Sequence, residues 1–164
     1  MLAYLFRKIE ELLLPERQAN GTGYLKPVDA ARLIYQRICQ LAQQIESHAE
    51  LAPYPQVTER LRRIAREKWD IANRLKQFIE PDHGSLTDNQ LPLSVTGKNH
   101  WQRLVRDLED QRKLDDLLSQ YEFPLTRQFP QLSGFLRELK AVHEAHRRSL
   151  AQLTATADPQ ATQT

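Results

Sequence analysis

In the stretch LRELKAVHEAHRRSL, Leu136 to Leu150, two imidazoles stand three residues apart, His143 and His146. At about 100° per residue the two rings lie about 60° apart round a helix, inside the arc of Leu139, Val142 and Leu150. Such a pair supports two kinds of chemistry. With one carboxylate from a neighbouring helix it makes a donor set suited to zinc or non-haem iron, and Asp107 and Asp115 are the candidate carboxylates. With no metal it makes a buried polar layer, hydrogen-bonded to Asp, Gln or water. A third group belongs beside these. Lys68 sits near the centre of another apolar stripe, between Ile64, Ala72 and Leu75. An ammonium there must reach water along its stem or pair with a carboxylate, because a lone buried charge is costly. Paired with Asp107 or Asp115, it would put a salt bridge at the centre of the protein.

Other candidates carry less. Glu67 and Asp70 have a spacing that suits acid–base work only inside a cleft, and Arg63, Arg66, Arg74 and Lys76 nearby read as a solvated face. The run RLRRIAREK, Arg60 to Lys68, is basic, but no helix-turn-helix spacing, zinc-finger spacing or aromatic ladder accompanies it, so nucleic acid is not an expected partner. Cys39 has no second cysteine to pair with and reads as a small, partly buried residue. No nucleophile motif, phosphate loop or dinucleotide fingerprint occurs.

The elements that must position these groups are helices. Residues 1–16 read as a short amphipathic helix with Leu2, Leu5, Phe6, Ile9 and Leu13 on one face, ended by Pro15. These five side chains are too apolar to face water alone and are the candidate interaction surface. Residues 17–26, with Gly21 and Gly23, read as a flexible connection. Four long helices fill 27–155. The first follows Pro27, with the stripe Ala31, Ile34, Ile38, Leu41, Ala42, Ile45 and Ala49. The second opens at Pro55, the third near Asn99 with Trp101, Leu104 and Leu108 inward, and EFPLTRQFPQ is expected to break the third before the fourth opens at Leu132. Residues 156–164 read as a disordered tail.

The connections are unequal. The first and third are short, so each joins an antiparallel hairpin. The second, from Pro81 to Lys98, lacks helical periodicity and could extend roughly 60 Å at about 3.3 Å per residue. A 25-residue helix is only about 38 Å long. The expected fold is therefore all-α: a four-helix bundle of two antiparallel hairpins joined by a long crossover, plus the N-terminal helix. With 23 basic against 21 acidic residues, the charge balance demands neither nucleic acid nor a membrane as partner. No run approaches the roughly 20 apolar residues that span a bilayer, and Glu10 and Glu11 offset Arg7 and Lys8 on the N-terminal helix, which disfavours membrane attachment. One cysteine and no signal-peptide pattern point to the cytoplasm.

This architecture, with the cadence of Leu136, Leu139, His146, Leu150 and Leu153 on the fourth helix, resembles the ferritin-like superfamily of rubrerythrins and bacterioferritins over roughly Pro27 to Leu153. The resemblance implies a bundle whose metal-binding members hold two iron or manganese ions with Glu on two helices and Glu-x-x-His on the other two. Here the fourth-helix position carries His143 and His146. The matching place on the second helix falls near Lys68 and Ile71, and the first helix offers no carboxylate at its inward centre. The resemblance thus implies the scaffold without its di-metal ligands. The expected function is non-catalytic, with no cofactor: contact with a protein partner, or a homo-oligomer, through the N-terminal helix and the outer faces. The alternative is an atypical iron, manganese or zinc protein, an oxidoreductase or a metal store, using His143, His146 and Asp107 or Asp115.

Overall fold

The structure is a computed structural model that describes residues 25–83 and 97–157. Four helices make it up: α1 (Pro27–Glu50), α2 (Pro55–His83), α3 (His100–Gln128) and α4 (Leu132–Thr156). The expected N-terminal helix with Leu2, Leu5, Phe6, Ile9 and Leu13, the connection up to residue 24, residues 84–96 and the tail from 158 lie outside the described residues.

Local chemistry sets the ends. Pro27 opens α1 and Pro55 opens α2, where a missing N–H costs nothing. Asn99 caps α3: its side chain accepts from the Gln102 backbone N–H at 2.9 Å, and Gln102 Oε1 accepts from the Lys98 N–H at 2.8 Å. The expected break at EFPLTRQFPQ comes late. Helix α3 runs through Pro124 to Gln128, although an interior proline costs about 3 kcal/mol and removes one backbone bond. Tyr121, Leu125 and Phe129 are buried on either side of it, each worth roughly 1.5–3 kcal/mol, and that burial holds the helix together. Helix α2 likewise passes Pro81 to reach His83.

Each helix presents a seam of alternating three- and four-residue steps to the core. On α1 it is Ala31, Ile34, Ile38, Leu41, Ile45 and His48, and on α4 Leu132, Leu136, Leu139, His143, His146, Leu150 and Leu153, all buried. Trp101, expected inward, is only half-buried, and its neighbours His100 and Arg103 are the buried residues. The packing order round the bundle is α1, α2, α4, α3, with α2 diagonal to α3 and α1 diagonal to α4. Cross-helix bonds fix the directions. Leu25 N–H donates to Tyr121 Oη at 3.1 Å, while His48, at the other end of α1, meets Asp107 near the start of α3. Arg60 meets Gln152 and Arg74 meets Glu138, and Lys140 meets Glu122 while Arg147 meets Asp115. So α1 is antiparallel to α3, α2 to α4 and α3 to α4. Helices α2 and α3 are then parallel, and the chain between them joins opposite ends of the bundle. This is the expected pair of hairpins with a crossover, and not a simple up-and-down bundle. Among the described residues no helix is long and apolar enough to cross a membrane.

Candidate functional site

The apolar seams are interrupted by a string of buried polar groups in two layers. The central layer is built on Lys68 of α2, which has no exposed surface. Its Nζ donates to Gln111 Oε1 of α3 at 2.5 Å, and Gln111 Nε2 donates to Asp115 Oδ1 at 2.7 Å. Asp115 Oδ2 accepts from Arg147 of α4 at 2.9 Å. Lys68 thus reaches a carboxylate through an intervening amide; the direct salt bridge to Asp107 or Asp115 does not form. The i, i+4 spacing of Asp107, Gln111 and Asp115 places all three on one side of α3, which makes this relay possible. Burial pushes the Lys68 ammonium from 10.5 to about 7, against the pull of Asp115, Asp107 and Glu67.

His143 and His146 both lie in this layer, 1% and 3% exposed, with ring centroids 6.0 Å apart. His146 Nε2 is 2.7 Å from Glu67 Oε2. Since a carboxylate only accepts, Nε2 carries the proton. Glu67 keeps the solvated position expected for it beside Asp70, and from there its Oε2 reaches the edge of the His146 ring. Burial, then the charge of Lys68 and the neighbouring His143 ring, holds His146 below the ordinary histidine range. His143 Nδ1 stands 3.5 Å from Asp115 Oδ1, too far for a good hydrogen bond, and neither ring nitrogen has a hydrogen-bond partner among the described residues. Burial pushes His143 down to about 4, with Lys68 adding to the effect and Asp115 opposing it. For Asp115 burial alone would raise the pKa, but His143, Gln111 and Arg147 around it outweigh burial and hold it below the usual carboxylate range.

A second layer lies toward the start of α3. Asp107, with no exposed surface, accepts from His48 Nδ1 at 2.9 Å to each oxygen and from Gln44 Nε2 at 2.9 Å. Burial raises its pKa, and the His48 and Gln44 bonds pull against that rise. Nearby, His100 is lowered by burial and by Arg103. Arg103 donates to the carbonyls of Leu51 at 3.3 Å and Gly97 at 3.4 Å, tying the end of α1 to the start of α3.

The proposed ligand set His143, His146, Asp107 and Asp115 is therefore split. Asp107 and Asp115 are eight residues apart, about 12 Å along α3, and Asp107 is engaged by His48. Asp115 has both oxygens bonded, and His146 Nε2 is committed to Glu67. Among the described residues no three His, Cys, Asp or Glu side chains converge as a metal site would need. With the Lys68 ammonium in their midst, these donors do not fit a metal ion as they stand.

Sequence reasoning placed His143, His146 and Lys68 inward and overlooked His48, His100 and Arg103. The signal for His48 was there: it continues the 34, 38, 41, 45 seam by three residues. No family model, no curated protein and no solved structure matches this chain.

Proposed function

We propose that this chain is a non-catalytic helical bundle on a ferritin-like scaffold, acting through protein contacts or self-association in the cytoplasm. The observation that carries this reading is the filled centre. Lys68, Gln111, Asp115 and Arg147 form one continuous relay across α2, α3 and α4, where a metal-binding relative would need free carboxylates. A buried polar relay of this kind can fix a bundle's register and leaves its outer faces to bind. Residues 2–13, with their apolar stripe, are the contact element in this reading.

A second reading, a mononuclear iron, manganese or zinc site on His143 and His146, is favoured by one observation: the bare nitrogens of His143. The two readings part on metal content. Tag-free protein analysed by elemental mass spectrometry beside a His143→Ala/His146→Ala variant is expected to carry no stoichiometric metal in either form. Sedimentation of the same sample is expected to show a dimer or larger species. Near-stoichiometric metal that disappears in the variant would replace the first reading with the second. A metal-free monomer at every concentration would remove self-association and leave contact with a different protein.

A further inference from the structure

Of the four edges along which neighbouring helices meet, two join helices that no turn connects: α1–α3 and α2–α4. They are fastened differently. The α1–α3 edge is bolted from inside: His48 meets Asp107 at 2.9 Å with both side chains out of water, and Arg103 reaches the Leu51 carbonyl. At the α2–α4 edge the backbones approach each other least. The bonds across it come from long side chains at the rim. Arg60 donates to Ser149 and to Gln152, each at 3.0 Å, and Glu67 accepts from His146 at 2.7 Å. Arg74 donates twice to Glu138, at 2.6 and 2.7 Å, and lies 5.0 Å over the Phe135 ring. Arg74, Glu138 and Glu67 are 45%, 54% and 47% exposed, so these are surface bonds. Such ion pairs contribute little and weaken with salt. Behind the rim lies the buried layer, and its relay does not lock this edge: Lys68 bonds to Gln111 of α3.

We propose that the bundle opens along the α2–α4 edge, with α4 swinging away from α2 as a gate to the Lys68 layer while the other three edges stay closed. Opening breaks the rim bonds and one aromatic contact, Phe78 against Phe135 at 5.4 Å. It leaves the α3–α4 pairs Arg147–Asp115 and Lys140–Glu122 in place, with the turn that joins those helices. A local opening of this kind costs less than global unfolding, so water and small polar solutes reach the layer from an otherwise folded chain.

The test is thiol reactivity in the native state. Round α2, Ile71 falls on the α4 side with Arg60, Glu67, Arg74 and Phe78, whereas Ala65 lies about 120° away, toward α1. Both are buried. In a Cys39→Ser background, Ile71→Cys and Ala65→Cys are each mixed with a small thiol reagent, and the stability of each variant is taken from urea unfolding. Ile71→Cys is expected to react about tenfold or more faster than its own global unfolding allows, at a rate that low urea scarcely changes. Ala65→Cys is expected to react only as fast as global unfolding allows. High salt, and separately Arg74→Ala, should each speed the Ile71→Cys reaction several-fold with no matching change at Ala65→Cys. Reaction at both sites only through global unfolding would overturn the gate. Fast reaction at both would mean that α2 leaves α1 as well, which overturns it too. Fast reaction of Ile71→Cys that neither salt nor Arg74→Ala alters would overturn the rim bonds as what holds the edge shut.

Discussion

Gln111→Leu is expected to cost about 1–3 kcal/mol at pH 7, more than the loss of one exposed amide, because it leaves the buried Lys68 amino group without its acceptor. Gln111 Oε1 is the hydrogen-bond acceptor of Lys68 Nζ, and Gln111 Nε2 carries the connection onward to Asp115. Leucine has the volume to fill the site but neither function. The ammonium then stands among Ile64, Ala72 and Leu75 with its charge opposed only by carboxylates it does not touch. Removing both polar partners should reverse the sign. In Lys68→Met/Gln111→Leu the interior is apolar, and Asp115 keeps Arg147 at 2.9 Å, so no charge is orphaned. That double variant is expected to equal the parent or exceed it by about 1–4 kcal/mol. Urea unfolding followed by circular dichroism gives all three values. A Gln111→Leu loss within about 0.5 kcal/mol, the range of an ordinary surface change, would mean that the relay does not hold Lys68.

The second large effect is on pH. The folded Lys68 pKa is about 7 against 10.5 when unfolded. Between those values the unfolded chain holds a proton that the folded chain has released, so stability rises with pH across that window. The penalty is fully present below pH 7 and gone above about 10.5. At about 1.4 kcal/mol per pH unit, the window is worth on the order of 5 kcal/mol. His143, lowered from 6.5 to about 4, acts in the same sense at lower pH: stability falls as pH drops from 6.5 to 4 and is flat below. Asp107, raised by burial, works against His143 over part of that acid range, which leaves the alkaline limb as the diagnostic one. Unfolding curves of the parent and Lys68→Met, taken from pH 6 to pH 10.5, are expected to converge as pH rises, because the exposed lysines and tyrosines cancel in the difference. Parallel curves would show that Lys68 is not desolvated.

Much of this was legible in the residues. The lengths of the three connections pointed to two hairpins and allowed a crossover, since a short link must turn back while an 18-residue one can return the length of the bundle. Lys68, His143 and His146 stood out because charge or imidazole on an apolar seam breaks an otherwise clean pattern. What stayed hidden was pairing. A helical wheel places Asp107, Gln111 and Asp115 on one side of α3, but it carries no height relative to the other helices. It could not tell that Asp107 meets His48 while Asp115 meets Arg147 and His143. His48 was passed over because it lies in the last turn of α1, where a histidine is ordinarily a solvent-facing partner for the helix dipole. Glu67 is solvent-exposed as expected, and what the wheel could not show is that its Oε2 also reaches His146. The break after α3 does fall inside EFPLTRQFPQ, at its far end, because Tyr121, Leu125 and Phe129 supply non-local packing that carries the helix past Pro124.

The account turns on the centre of the bundle being occupied by a lysine held out of water. The most direct measurement is the titration of Lys68 itself, followed by carbon-detected NMR of its Cε in the folded protein and assigned with Lys68→Met. The account predicts a midpoint near 7 and a chemical shift that responds to Gln111→Leu. A midpoint near 10.5, indistinguishable from the surface lysines, would put the ammonium in water and leave the centre open for a ligand, contradicting the reading given above.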